Sequence, residues 1–213
     1  MPGCMTRRRL TREESREQTQ QRLLDAALHV IARKGLAATS VEDIAAQAGY
    51  TRGAFYSNFR GKNDLFIELL RRDHERTTAG MNALLAGGLP PGQLELQLKQ
   101  FYSQMYLDNE CFMNWTEAHM LAARDAKFRA RLNALLLEKR DAIAAFIVQF
   151  CRRLGMPPPA PPEQMAMGFI SLVQGVRLFR ISIPQEMAAE AAESILALFI
   201  EGVITVGKLR AAQ

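Results

Sequence analysis

The sequence predicts an all-α protein, on three observations. No stretch alternates apolar and polar residues as a half-buried strand does. Between the Gly and Pro punctuation, apolar residues recur at spacings of three and four, the period of a helix face. Several of these segments also open on Thr or Ser patterns that cap helix N-termini. The 213 residues suffice for a buried core in one or two domains, and 48% apolar with 23% charged residues argues against disorder. Apolar runs stop well short of the roughly 18 residues of a membrane span and therefore belong to buried helices.

The first helix is expected to open at the capping box Thr11-x-x-Glu14 and to place Leu23, Leu24, Ala27, Leu28 and Ile31 on one stripe before Gly35 stops it. A short second helix follows, capped by Thr39-x-x-Glu42 or by Ser40-x-x-Asp43, with Val41, Ile44, Ala45 and Ala48 inward and Gly49 in the left-handed conformation at its end. Thr51 caps a brief third helix, with Tyr50 and Phe55 at the spacing of a hydrophobic staple, and Phe55, Phe59 and Ile44 as core. The fourth helix runs from near Lys62 to about Leu85, where Gly87-Gly88-Leu89-Pro90-Pro91 breaks it. Further helices are expected at about Gln93–Leu107 and Phe112–Ala123. The next is the clearest, because Phe128, Leu132, Leu135, Leu136, Ile143, Phe146, Ile147 and Phe150 keep a helical period until Gly155. The run Pro157–Pro162 forms a stiff connector, and two helices at about Glu163–Arg180 and Glu186–Val206 end the chain. There is no internal repeat.

Several function classes find no support. Cys4, Cys111 and Cys151 lack the spacing of a zinc site or disulfide framework and read as ordinary thiols, a redox sensor being the alternative. His29, His74 and His119 form no pair one helical turn apart, so neither a metal site nor a cofactor is expected. No catalytic residue is expected. After Arg7-Arg8-Arg9 the chain is polar from Thr11 to Arg22, where a signal peptide would need apolar residues, so the expected compartment is the cytoplasm.

The net charge of +5 becomes informative once it is located. Residues 1–62 hold 11 Lys and Arg against 6 Asp and Glu, whereas residues 63–213 hold 16 of each. The entire excess lies in the N-terminal part, which points to an anionic partner there, nucleic acid or a membrane surface.

Two short helices joined by a tight Gly-containing turn make a helix-turn-helix, whose second helix enters the major groove of DNA. That groove is about 12 Å wide, so residues at the helix start must be small or able to hydrogen-bond base edges. Thr51, Arg52, Gly53 and Ala54 satisfy this, and the fork of Arg52 suits guanine O6 and N7, a phosphate contact being its alternative. Tyr56, Ser57 and Asn58 are expected at phosphate oxygens, with Lys62 and the start of the fourth helix adding positive charge. Thr39 and Ser40, at the mouth of the second helix, complete the expected DNA contacts. Arg7, Arg8, Arg9 and Arg12 read either as an arm reaching the minor groove or as a solvated tail.

Ala48-Gly49-Tyr50-Thr51, Gly53, Tyr56, Phe59 and Lys62 with Leu65 together resemble the N-terminal domain of the tetracycline-repressor (TetR) family, over roughly residues 17–66. The chain departs from the family pattern at Tyr50, where Val is usual, and at Asn58, where His is frequent. The resemblance implies a three-helix helix-turn-helix domain over residues 1–62 and a larger helical ligand-binding and dimerisation domain over 63–213. It implies a homodimer whose recognition helices lie about one turn of DNA apart on a palindromic operator, commonly a repressor released when a small effector tilts the fourth helix. Tyr102, Met105, Phe112, Trp115, His119, Phe146, Phe150, Phe169, Gln174 and Arg177 fall on helices that surround the cavity in this family, and their aromatic and Met character suggests a largely apolar effector. Arg177 and Glu117 read as surface charges unless they point inward. Small residues such as Gly168, Ser171, Gly175 and Gly202, interleaved with Leu172, Leu178 and Leu198, suit a four-helix interface between two copies made by the last two helices, the protomer's own core being the alternative.

Two other readings stand beside this one. An enzyme on a helical bundle lacks any carboxylate pair, activated nucleophile or phosphate loop. A membrane-surface protein is opposed by Glu13, Glu14, Glu17 and Asp25 on the first helix, whose apolar stripe the core requires.

Overall fold

The computed structural model describes residues 11–105 and 109–212, apart from the side chains of residues 103–105. Within them are nine helices and no strand: α1 (Arg12–Ala38), α2 (Val41–Gln47), α3 (Arg52–Tyr56), α4 (Lys62–Ala86), α5 (Pro91–Met105), α6 (Asn109–Arg124), α7 (Ala126–Arg153), α8 (Pro162–Ser182) and α9 (Ala189–Ala211). Two units result, one up to Leu70 and one from Arg71 onward. Among the described residues no helix is long and apolar enough to cross a membrane.

Local chemistry sets the boundaries in the first unit. Thr11 caps α1 through a full capping box, its hydroxyl accepting from the Glu14 N–H at 3.1 Å while the Glu14 carboxylate accepts from the Thr11 N–H at 2.7 Å. Gly35 breaks the helical backbone at φ 75°, and one further turn carries the chain to Ala38. Of the two caps open to α2, Ser40 is the one used, with Asp43 closing the box. Thr39 cannot serve, because its hydroxyl is buried and donates to the Gly35 carbonyl at 2.7 Å. After α2 the N–H of Tyr50 reaches the Ala45 carbonyl and that of Gly49 reaches Ala46, a Schellman closure that needs the φ of +74° at Gly49. No side chain or backbone atom lies within 4 Å of where a Cβ on Gly49 would stand. Gly49→Ala is therefore expected to cost only the left-handed penalty, about 1–2 kcal/mol. Urea unfolding should show a lower midpoint at unchanged slope; an unchanged midpoint would refute the assignment. The apolar stripe of α1 (Leu23, Leu24, Ala27, Ile31), Ile44 and Ala45 of α2, Phe55 and Phe59, and Leu65, Phe66, Leu69 and Leu70 of α4 are all buried.

The second unit closes around α7, which packs on both α6 and α8. Its core joins Met81 of α4, Leu94, Leu98 and Tyr102 of α5, Ile143, Phe146 and Phe150 of α7, Phe169 and Val176 of α8, and Leu196, Ile200 and Ile204 of α9. Tyr102 meets Phe169 edge-on at 4.6 Å, and Phe146 stacks on Phe150 at 5.8 Å. The α4 backbone comes so near α5 at Gly80 that a Cβ there would lie 2.5 Å from the Phe101 ring. α7 ends in a second left-handed glycine, Gly155, and the proline run delivers Pro162 to the first turn of α8, where its missing N–H costs nothing. α5 likewise starts earlier than the periodicity indicates, at Pro91, for the same reason. α9 starts later, at Ala189, because the N–H groups of Glu186 and Met187 close a turn on Ile183.

Candidate nucleic-acid interface and ligand cavity

The interface candidates lie around α2 and α3. Thr51 caps α3, its hydroxyl accepting from the Ala54 N–H at 3.3 Å. Gly53 and Ala54 follow on the first turn, with Gly53 exposed. Arg52 is exposed between Glu42, paired with it at 2.8 Å, and the Tyr56 ring, whose centroid lies 5.5 Å from the guanidinium. A pair this exposed is worth at most about 1 kcal/mol, so Glu42 orients Arg52 without tying it down. Tyr56 is 48% exposed and rests edge-on against buried Phe55 at 5.4 Å, which presents its hydroxyl outward. The exposed hydroxyl of Ser57 donates to the Gly53 carbonyl at 2.9 Å and retains its lone pairs. The box at α2 holds the Asp43 carboxylate down to about 2, chiefly through the Ser40 backbone N–H and then Lys34, 3.0 Å away. Because the Ser40 oxygen accepts in that box, its O–H remains free to donate.

Two expected DNA contacts, Thr39 and Lys62, are corrected. Thr39 is 1% exposed and bonded inward, so it cannot reach DNA. The Lys62 ammonium donates to the carbonyls of Leu36 at 2.9 Å and Thr39, closing the orphan acceptors at the end of α1 instead of facing solvent. The half-buried Asn58 amide commits one of its two N–H donors to the Ala54 carbonyl at 2.8 Å. Arg12 starts α1, while Arg7, Arg8 and Arg9 lie outside the described residues.

In the second unit two cavities of about 50 Å³ each share Tyr102, Ile143 and Phe169. The first is lined wholly by apolar and aromatic residues and Cys151, and it contains the expected Phe146 and Phe150. The second gathers the expected Trp115, Gln174 and Arg177 with Asp73, Thr77, Met81 and Lys139. Arg177 is thus no surface charge: it is 9% exposed, with its guanidinium 4.9 Å over the Phe112 ring. Trp115 donates its indole N–H to Asp73 at 2.8 Å, and the Lys139 ammonium stands 4.0 Å over the same indole. His119 is placed elsewhere, in an open hollow between α6 and α7 beside Ala122, Arg129 and Asn133. The side chain of Met105 lies outside the described residues. Burial and the nearby Lys139 charge lower the pKa of both His119 and His74. Cys111 and Cys151 are buried thiols, and burial raises the pKa of Cys151. Sequence reading missed Asp73 and Lys139, although each falls on the apolar stripe of its helix.

The profile of bacterial regulatory proteins of the tetR family matches residues 23–69. The HTH-type transcriptional regulator CymR of Pseudomonas putida is 30% identical over 139 residues, 65% of this chain and 68% of CymR. The chain belongs to the TetR family. It is a TetR-family transcriptional regulator, a DNA-binding protein rather than an enzyme. The regulator AcrR of Shigella flexneri is 46% identical, but over 61 residues, so this match spans only 28% of AcrR and 29% of this chain. The TetR fold extends through nearly the whole chain. A TetR-family regulator from Rhodococcus superposes with a TM-score of 0.73 at 23% identity, covering 88% of this chain and 99% of its own. FadR from Bacillus subtilis, in complex with stearoyl-CoA, gives 0.68 at 17% identity, covering 86% and 98%.

Proposed function

We propose that this TetR-family protein is a cytoplasmic repressor that binds a palindromic operator as a homodimer and is released by a small, largely apolar effector. The observation that carries this reading is the set at α2 and α3, exposed Thr51, Arg52, Gly53, Tyr56 and Ser57 with half-buried Ser40 and Ala54, held on a buried aromatic core at the basic end of the chain. Arg52 reads a base edge and Tyr56, Ser40 and Ser57 grip phosphates. The two cavities support the effector, and the FadR complex supports the capacity of this fold to hold an acyl ligand. Because the cavities are small, an effector enlarges them on entry, and Asp73, Thr77 and Met81 on α4 are among the residues it displaces. Such a ligand shifts the protein away from the DNA-binding state only by its better affinity for the displaced arrangement. The partner of α8 and α9 is a second copy: Met167, Leu178, Phe179, Leu198 and Leu209 are exposed there, and the Cβ positions of Gly168, Gly175 and Gly202 are open, so two helix pairs can approach closely.

Selection from a random duplex pool with the full chain tests this. The expected outcome is a palindrome with half-sites about one helical turn apart, bound with an affinity that falls steeply with salt. Recovery of no common sequence would overturn it. On the selected duplex, Arg52→Ala is expected to weaken binding about 10- to 100-fold per half-site contact, roughly 1–3 kcal/mol, and to relax preference at one position. Uniform weakening across sequences with a shallower salt slope would assign Arg52 to a phosphate instead.

A further inference from the structure

The buried face of α7 runs Phe128, Leu132, Leu135, Ile143, Phe146 and Phe150, and Lys139 occupies the step between Leu135 and Ile143. A lysine there is an unusual choice, because an ammonium withdrawn from water is costly unless it is paired. Yet Lys139 makes no hydrogen bond or ion pair with any described residue; its contact is the face of Trp115 at 4.0 Å. Asp73 lines the same cavity but already accepts from the Trp115 indole N–H and from the Cys111 thiol, and it pairs with Arg76 at 2.9 Å. Arg177, which is buried, adds a second cation to the lining beside the half-buried Lys139. The lining therefore brings Lys139 and Arg177 to one cavity, and its carboxylate, Asp73, is already engaged by Arg76. Burial lowers the Lys139 pKa, Asp73 opposes this more strongly than Arg177 adds to it, and Cys111 opposes it too, so withdrawal from solvent is what weighs on the ammonium. Beyond Tyr102, Ile143 and Phe169 the adjoining cavity offers no charged residue at all.

We infer that the effector is an organic acid, its carboxylate bound between Lys139 and Arg177 and its apolar or aromatic body running past Tyr102 and Phe169 into the apolar cavity. This rests on the second unit being the ligand sensor. The carboxylate supplies Lys139 with the charge-assisted hydrogen bonds it lacks, while Trp115 and Phe112 hold the two cations in place from behind. An alcohol, amide or amine of the same body leaves the positive site unanswered, so the pocket selects by charge as well as by shape.

The test uses the full chain, with octanoate, decanoate, benzoate and phenylacetate each compared with its primary amide by calorimetry and thermal shift. At least one acid is expected to raise the melting temperature and to bind about tenfold or more tightly than its amide. Lys139→Met is expected to bind acid and amide alike and Lys139→Arg to keep the preference, while unliganded Lys139→Met is at least as stable as the parent because a half-buried ammonium without a hydrogen bond is replaced by an apolar side chain. Amides that match their acids, the absence of binding by every acid, or a preference that survives Lys139→Met would each overturn the inference. Operator binding is measured on the same preparations. If it is intact without an acid preference, only the acid is lost; if no duplex is bound, the regulatory reading itself fails.

Discussion

Phe55→Ala is expected to unfold the DNA-contacting unit while leaving the second unit folded. The ring is 0% exposed, lies 5.7 Å from Phe59 and 5.4 Å from Tyr56, and is the one buried side chain that the five-residue α3 contributes. Truncating a buried Phe removes about 3–5 kcal/mol, the transfer free energy of the ring plus the cavity left behind. A unit of this size has little to spare, since domains as a whole are stable by only about 5–15 kcal/mol and the smallest are the most marginal. A helix as short as α3 has no independent stability and persists only by its packing, so the recognition surface is lost with the ring. Hydrogen exchange resolves the outcome: amides of α2 and α3 should lose protection while those of α7 keep theirs, and operator binding should vanish. Protection of α3 equal to that of the parent would show that Phe55 is not its anchor.

The same dependence explains which features were legible in the sequence. Caps and turns are local, so Thr11 with Glu14, Thr51 and the left-handed Gly49 could be read from a few adjacent residues, and the helix-turn-helix emerged intact. The choice between Thr39 and Ser40 as the α2 cap was not local, because it depends on the Gly35 carbonyl that takes the Thr39 hydroxyl. Lys62 misled for a related reason. A lysine at a helix start near a DNA surface looks like a phosphate contact, but here the open carbonyls of Leu36 and Thr39 lie within its reach and bind it first. In the second unit, aromatic residues on helical stripes do not separate cavity from core in the sequence: Tyr102, Trp115 and Phe169 line one cavity, whereas His119 lies in a separate hollow. The signal overlooked was a polar residue in an apolar period. Asp73 continues Phe66 and Leu70 toward Thr77 and Met81 on α4, and Lys139 continues Leu132 and Leu135 toward Ile143 on α7. Each interrupts a stripe whose other members are mostly buried, and such an interruption places charge in the interior more directly than composition does.

Leu198→Glu is expected to separate the dimer without harming the fold. Leu198 is 72% exposed on α9, whereas Leu196, Ile200 and Ile204 of the same helix are buried in the unit's own core. A substitution on the exposed side leaves that core untouched, and its effect on protomer stability should stay within about 0.5 kcal/mol. In a two-fold interface every change is made twice across the same patch, so two carboxylates enter an apolar contact and are desolvated together. Operator affinity then falls not because any DNA contact is lost but because the second half-site is no longer held at high effective concentration, a loss of about 10²–10⁴-fold. Arg52→Ala is expected to give a different signature, unchanged association with altered base preference, if Arg52 has its proposed role. Sedimentation equilibrium on the parent and on Leu198→Glu, beside operator titrations, separates the two effects. A parent that is already monomeric, or a Leu198→Glu protein that remains dimeric with unchanged operator affinity, would remove α9 from the interface.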